Sequence, residues 1–197
     1  MKEESVSEPV VLEIATTAQH FSEILALQKE NLYSEISVEQ QQQQGFVFAE
    51  HNLELLEKMA DHLPQVIAIS DHKVIGYNLA MAVSLRNELQ SLVPMFDEFE
   101  RCSYHNRKLT SYDYMVGGQV CVHQGFRGQG LLRQLYHETR NRIYESYELC
   151  VTEISARNVN SLKVHQKMGF EIIGTYRDEK ELWHVVAWDL KKKNAIV

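Results

Sequence analysis

Apolar positions along the chain alternate between short strand-like runs and longer stretches with a helical period, which predicts interleaved strands and helices. Residues 10–15 read as an opening strand, and Thr17 is placed to cap a helix whose Phe21, Ile24, Leu25, Gln28 and Leu32 share one face. The glutamine run 40–44 reads as a polar helix end or loop before Gly45. Leu55, Leu56, Met59 and Leu63 form the stripe of a second helix over 53–62, which must stop before Pro64. Residues 66–69 and 74–81 are apolar strands on either side of the polar turn Asp71-His72-Lys73, so a hairpin is expected.

Residues 86–111 then form a long insertion, with a helix expected from Pro94 to about 102. Residues 113–123 read as a strand whose Gly117-Gly118 pair marks a bulge or a close backbone approach. The clearest helix follows a glycine-rich turn, with Leu131, Leu132, Leu135, Tyr136, Thr139 and Ile143 on one face. A strand over 149–154, a helix over 161–168 ending at Gly169, and strands over 170–176 and 182–190 complete the pattern. The order is β-α-α-β-β-β-α-β-α-β-β.

A chain of 197 residues, 44% hydrophobic with 9 Gly and 3 Pro, is expected to form a single domain over 1–197, with 86–111 inserted between strands. The 20 Lys plus Arg against 27 Asp plus Glu give a net charge of -7, which disfavours nucleic acid as partner. Cys102, Cys121 and Cys150 lack the spacing of a disulfide framework or zinc site, and the nine histidines show no metal-binding pattern, so no metal is expected. An acidic start without an apolar core, and no apolar run near the ~18 residues of a membrane span, predict a cytoplasmic protein without a membrane partner. Lys191-Lys192-Lys193 reads as a solvated tail.

Two segments carry candidate chemistry. The first, 120–132, joins a strand to a helix through Gly125, Gly128 and Gly130. Glycines that let backbone approach closely, free amides at a helix start and the charge of Arg127 together suit a diphosphate; a turn that only redirects the chain is the alternative. It is neither a nucleotide P-loop nor a dinucleotide fingerprint, because no Lys-Ser/Thr pair follows and Arg133 stands where a third glycine belongs. The second segment, 153–170, leaves a strand at Glu153 and passes through Asn158, Ser161, His165 and Lys167 to Gly169-Phe170.

Together these segments resemble the GNAT N-acetyltransferase superfamily. Arg127-Gly128-Gln129-Gly130-Leu131-Leu132 is similar to its R/Q-x-x-G-x-G/A pyrophosphate loop. Asn158, Ser161, His165, Lys167 and Gly169-Phe170 are similar to its N-x-x-A/S-x-x-x-Y-x-K-x-G-F segment. Leu132 replaces the last small residue of the loop, and His165 occupies a position where many members carry tyrosine.

The resemblance implies a mixed α/β fold with a splayed central sheet flanked by helices. It implies an enzyme that moves an acetyl group from acetyl-CoA to a primary amine by direct attack in a ternary complex. Acetyl-CoA would lie against Arg127, Gly128, Gln129, Gly130, Leu131, Leu132, Asn158 and Ser161, with Cys121 and Val122 bonding the pantetheine amides. Glu153 would be the base and His165 the acid; Glu153 also reads as an edge carboxylate paired with Arg157, and His165 as a packing residue. Asp113 and His123 are secondary base candidates, and Cys121 reads as a small buried strand residue before a nucleophile.

The acceptor is expected to be a small-molecule or peptide amine, with homodimerisation open. Met95, Phe96 and Phe99 of the insertion would cover the cleft while Asp97, Glu98 and Glu100 either steer a cationic amine or face solvent. Phe46 and Phe48 either line the same pocket or belong to the core. The alternative to an enzyme is a non-catalytic acyl-CoA-binding regulatory module.

Overall fold

A computed structural model describes residues 9–87 and 92–192. In chain order the elements are β1 (Val11–Ile14), α1 (Ala18–Lys29), α2 (Val38–Gln44), α3 (Leu53–His62), β2 (Val66–Ser70), β3 (Lys73–Met81), α4 (Val93–Arg101), β4 (Ser103–Tyr104), β5 (Arg107–Lys108), β6 (Tyr114–Val122), α5 (Leu131–Ile143), β7 (Leu149–Ser155), α6 (Val159–Met168), β8 (Glu171–Arg177) and β9 (Leu182–Asp189). Every strand and helix expected from the apolar pattern is present.

Three local features depart from that pattern. The glutamine run is a helix of its own, because Ser37 and Gln40 form a reciprocal capping box and Gly45, at φ 74°, ends it. Helix α6 starts at Val159 rather than 161, since the Asn158 side chain caps it by accepting from the Ser161 amide. The insertion holds α4 as expected but adds the β4–β5 hairpin, whose turn residues His105 and Asn106 both take positive φ.

Seven strands form one sheet in the order β1-β2-β3-β6-β7-β9-β8. All neighbours are antiparallel except β6 and β7. That parallel pairing runs only from Tyr114 opposite Leu149 to Val116 opposite Val151. Beyond it β6 stays with β3 as far as Val122 and β7 stays with β9 as far as Ser155, so the sheet forks. At the fork the Thr152 hydroxyl donates to Gly117 O at 2.7 Å. Gly117 lies opposite Ala80 and Gln119 opposite Leu79, which leaves Gly118 as the bulged residue.

Helices α1, α3 and α4 cover one face of the sheet, where Phe21, Ile24, Leu56, Met59, Phe96 and Phe99 pack with Tyr77, Leu79, Val185 and Ala187. Helices α5 and α6 cover the other, with Tyr136, Ile143 and Met168 against Ala80, Val186 and Trp188. Each fully buried large apolar side chain contributes roughly 1.5–3 kcal/mol, so the two layers fix the fork's arms from both sides. The insertion is held to the sheet where the Cys102 thiol fills the space above Gly174; a Cβ at that glycine would meet Sγ at 2.5 Å. Among the described residues no helix is long and apolar enough to cross a membrane.

Candidate active site

Two clefts open on either side of the fork and meet there. The larger, about 970 Å³, runs between the end of β6, the 124–128 turn, the start of α5 and the outer face of α6. The smaller, about 480 Å³, lies between β6 and β7 and reaches Met95 of the insertion and Tyr176 and Trp183 of the last hairpin. Phe46, Val47, Val120, Asn158 and Ser161 line both. The two clefts therefore meet beside Val120.

The start of α5 opens into the larger cleft. Gly128 and Gly130 take φ of 76° and 78°, and a Cβ on either would meet nothing within 4 Å. Gly130 caps α5 without a side chain, and the Gln134 amide makes the first helical bond, to Gly130 O. The amides of Leu131, Leu132 and Arg133 thus lie at an open helix N-terminus with its positive field. Leu131 packs into the core as it starts the helix, and Leu132 is half-buried.

Two side chains of the loop differ from expectation. Arg127 does not project into the cleft as a free cation. Its Nε donates to Val122 O at 2.9 Å and its Nη1 to Gln44 Oε1 at 2.8 Å, while Nη2 donates to Asn31 Oδ1. Arg133, exposed, is the second arginine on the cleft wall, and its Nε donates to His137 Nε2 at 3.3 Å. Gln129 sits at the exposed apex, its amide donating to Gly125 O at 3.3 Å, and does not line the cleft.

The inner edge of β6 supplies further polar groups. His123 donates its amide to Ile75 O at 2.8 Å, and the alternation of an antiparallel ladder then directs the Cys121 backbone toward Tyr77. The backbone groups of Val120 and Val122 face the opened side. Cys121 lines the cleft, but the ladder turns the amides of Val120 and Val122, and not its own, toward the opening, a correction that sequence alone could not supply. Burial pushes the Cys121 thiol up to about 12, partly offset by Arg127, which removes it as a nucleophile at neutral pH.

The smaller cleft holds Glu153. Burial lifts its pKa to about 7, against the pull of the Tyr176 hydroxyl that donates to Oε2; Asp178 nearby adds to the rise. Arg157, the alternative partner for Glu153, pairs instead with Glu181 at 2.6 Å. The cleft's other carboxylates are exposed Asp178 and Glu179 on the β8–β9 turn, with Lys180 beside them. Phe46 and Phe48 both line the cleft; Phe48 stacks on Tyr33 at 4.3 Å and meets Trp183 edge-on at 4.9 Å.

His165 lines the floor of this cleft but is 1% exposed. Burial lowers its pKa to about 4, so it is neutral at physiological pH. Ser161 O lies 2.8 Å from Nδ1 and can only accept, so the ring proton is on Nδ1. Nε2 then accepts from the Tyr136 hydroxyl at 2.9 Å. This corrects the expectation of an acid at His165: no ring proton points toward a leaving group.

The secondary base candidates also fall away. Asp113 precedes the opposite end of β6, about 23 Å along the strand from Val120. His123 accepts from the Gly125 amide through Nδ1 and shapes the turn. In the insertion, Asp97 and Glu100 both pair with Arg86, and Glu98 pairs with Arg101. Phe96 and Phe99 are core residues, so Leu92, Pro94 and Met95 are what the insertion gives the cleft.

Asn158 and Ser161 do lie where the clefts join, although Asn158 also donates to Phe46 O at 2.7 Å. The functional candidates missing from the sequence reading include Val120, Tyr136, Gln119 and Tyr176, and also Arg133, Asp178 and Glu179. Tyr136 carried a signal in the residue type, a hydroxyl on the apolar face of α5 that requires a buried partner.

No protein-family model and no curated protein matches the sequence. Solved structures do resemble the fold. A chain of the NatC complex bound to Gag peptide and CoA superposes with a TM-score of 0.63 at 13% identity, over 92% of this chain and 99% of that one. The ribosomal-protein-S18-alanine N-acetyltransferase from Escherichia coli gives 0.63 at 10% identity, over 96% and 99%. An N-acetyltransferase from Staphylococcus aureus Mu50 gives 0.60 at 18% identity, over 93% and 100%. The chain therefore has the fold of the GNAT N-acetyltransferases.

Proposed function

We propose that the protein transfers an acetyl group from acetyl-CoA to a primary amine by direct attack in a ternary complex. The observation that carries this reading is the meeting of two clefts at the β6–β7 fork. One ends at an anion-ready helix N-terminus, and the other contains a buried carboxylate poised near neutrality. Similar structures that hold CoA or acetyl-CoA support the first half.

The residues fit that co-substrate. A Cβ-free wall at Gly128 and Gly130 leaves room for a diphosphate, which the amides of Leu131 and Leu132 and the Arg133 guanidinium would hold. The backbone edge of Val120 and Val122, beside Cys121, suits an amide-bearing arm, with Asn158 and Ser161 opposite. Acetyl-CoA supplies an activated thioester carbonyl. Polarising such a carbonyl needs a fixed donor at the fork, and the Val120 amide is there.

Glu153 takes the proton from the incoming ammonium. A base with a pKa near 7 is substantially ionised at neutral pH while still able to hold a proton. Tyr176 orients the carboxylate and keeps it partly charged despite its burial. His165 and Tyr136 are a positioning pair that closes the floor of the fork.

The acceptor is a cationic amine, drawn by Asp178 and Glu179 rather than by the paired acids of α4. A peptide amine fits this description. One similar structure holds a peptide, and another is named for acetylating an alanine of a ribosomal protein. The engaged, neutral His165 favours a second reading, an acyl-CoA-binding module without turnover. Incubation with acetyl-CoA and pools of peptide, polyamine and aminosugar amines separates them. Amine-dependent release of free CoA thiol is expected; acetyl-CoA binding with no release from any pool would establish the module.

A further inference from the structure

The segment between α2 and α3 forms a strap that walls both clefts, with Phe46 and Val47 common to the two and Phe48 and Ala49 facing only the smaller. Its middle is tied to the end of α1, where Val47 donates to Asn31 O and Tyr33 donates to Val47 O, each at 3.0 Å. Toward the acceptor side it meets β6 through a side chain, Gln119, whose Nε2 donates to Ala49 O at 2.8 Å.

Gln119 is itself held from below. Its Oε1 accepts from the Tyr77 hydroxyl at 2.6 Å, and the Tyr77 side chain is fully buried between the sheet and α1. The Gly118 bulge makes this possible by setting Gln119 opposite Leu79 where the strand opens toward the fork. One amide side chain thus links the rigid core to the strap. It uses both of its ends, and no apolar side chain could replace either bond.

We propose that Gln119 is a positioning residue for acetyl transfer, fixing the Phe48–Ala49 wall of the acceptor cleft at a set distance from Glu153, with Tyr77 as its anchor. The inference rests on the reading of the smaller cleft as the amine site. Gln119 does not line the larger cleft, and its bond reaches the strap at Ala49, which faces only the smaller one. A shift of the wall by about 1 Å is enough to cost up to ~10²-fold in productive attack.

The test uses Gln119→Met, which keeps the length of the side chain and removes both bonds, and Tyr77→Phe, which removes the anchor together with the hydroxyl's contact to the Cys121 thiol. Hydrogen exchange of amides 44–52 should rise in Gln119→Met and rise less in Tyr77→Phe, with amides 128–133 unchanged. The best amine's kcat/KM should fall about 10- to 100-fold and about threefold respectively, with acetyl-CoA affinity kept within twofold. The double variant should be no worse than Gln119→Met alone, because Tyr77 acts through Gln119.

Unchanged exchange at 44–52 overturns the inference whatever turnover does, and so does altered exchange with unchanged amine kinetics. If the strap responds as expected but the unaltered protein turns over no amine, the wall assignment stands and the functional reading is what fails. Both variants must unfold within a few degrees of the parent; Tyr77→Phe, a single-oxygen deletion, keeps the test open if Gln119→Met does not fold.

Discussion

The Tyr176 hydroxyl donates to the Glu153 carboxylate across the β7–β9–β8 part of the sheet, a bond that favours the ionised carboxylate and holds the phenol protonated. Burial raises Glu153, while Tyr176 is raised by its own burial and by the neighbouring carboxylate. Tyr176 therefore remains a hydrogen-bond donor over the whole working pH range, and Glu153 is the member of the pair that titrates.

That titration predicts an acid limb in the rate. Glu153 must be ionised to accept a proton, so kcat/KM should rise with pH through about 7 and level off above it. Glu153→Gln should remove the limb and lower kcat roughly 10²- to 10⁴-fold, with acetyl-CoA affinity kept. Stability should move the other way. A carboxyl whose folded pKa lies above its unfolded value loses its stabilising proton affinity as pH rises through the folded pKa. Glu153→Gln should thus gain thermal stability relative to the parent between pH 5 and 8, by up to roughly 3 kcal/mol. A flat difference in melting temperature across that range, or an unchanged pH–rate profile, would contradict the assignment.

The loop makes a separate prediction. Gly130→Val places a β-branched residue at φ 78°, where left-handed backbone costs about 1–2 kcal/mol, and puts its side chain into the open wall of the larger cleft. Titration calorimetry should show CoA affinity reduced more than tenfold. Arg133→Gln should weaken it by about tenfold and lower its salt dependence, as loss of a charge-assisted bond does. Tight CoA binding by a folded Gly130→Val protein would require the diphosphate to lie elsewhere.

Much of this was legible in the chain because local chemistry decided it. Leu131 to Ile143 declared α5 by period and Gly117-Gly118 declared the bulge, whereas Glu153 is singled out by the resemblance and not by its own surroundings. What could not be read depends on which distant side chains meet. Arg127 looked like a ligand cation because its partners, Asn31 and Gln44, are brought to it only by folding. His165 looked like an acid because a sequence does not show that Tyr136, 29 residues earlier, would occupy its Nε2. The Val38–Gln44 helix was obscured for a different reason: its capping box joins Ser37 to Gln40, the first residue of a run that reads as low-complexity.

The same distinction separates two sets of acids. Asp97 and Glu100 share Arg86 and Glu98 pairs with Arg101, whereas Glu179 lines the smaller cleft and belongs to none of these pairs. The triple variant Asp97→Asn, Glu98→Gln, Glu100→Gln should leave amine kcat/KM within about twofold at low salt, because exposed pairs of this kind contribute only ~0–1 kcal/mol. Glu179→Gln should lower kcat/KM severalfold at low ionic strength and leave kcat nearly unchanged, with the loss fading as salt is added. Kinetics at two salt concentrations would decide it; the reverse ranking would return substrate steering to the insertion.

The Tyr136–His165 bond gives the last prediction, which concerns why a histidine stands at 165. Removing the imidazole in His165→Leu leaves a fully buried hydroxyl without its acceptor, a cost of about 1–3 kcal/mol. Tyr136→Phe strands Nε2 in the same way. The double variant should therefore be less destabilised than the sum of the two, the signature of a shared bond. His165 also bears on acid sensitivity. Burial holds its folded pKa at about 4, below the value of about 6.5 expected of the unfolded chain. Its contribution is complete above pH 6.5 and declines as pH falls toward 4, where the unfolded state takes up the proton first. Buried His51, also lowered to about 4, adds a second such decline. Denaturant titrations from pH 4 to 7 should show stability rising with pH, because the two histidines outweigh the opposite slope of Glu153, and His165→Leu should flatten that rise. An equal slope in parent and variant would mean that His165 is protonated in the folded protein, and the acid role at the leaving group would then have to be reinstated.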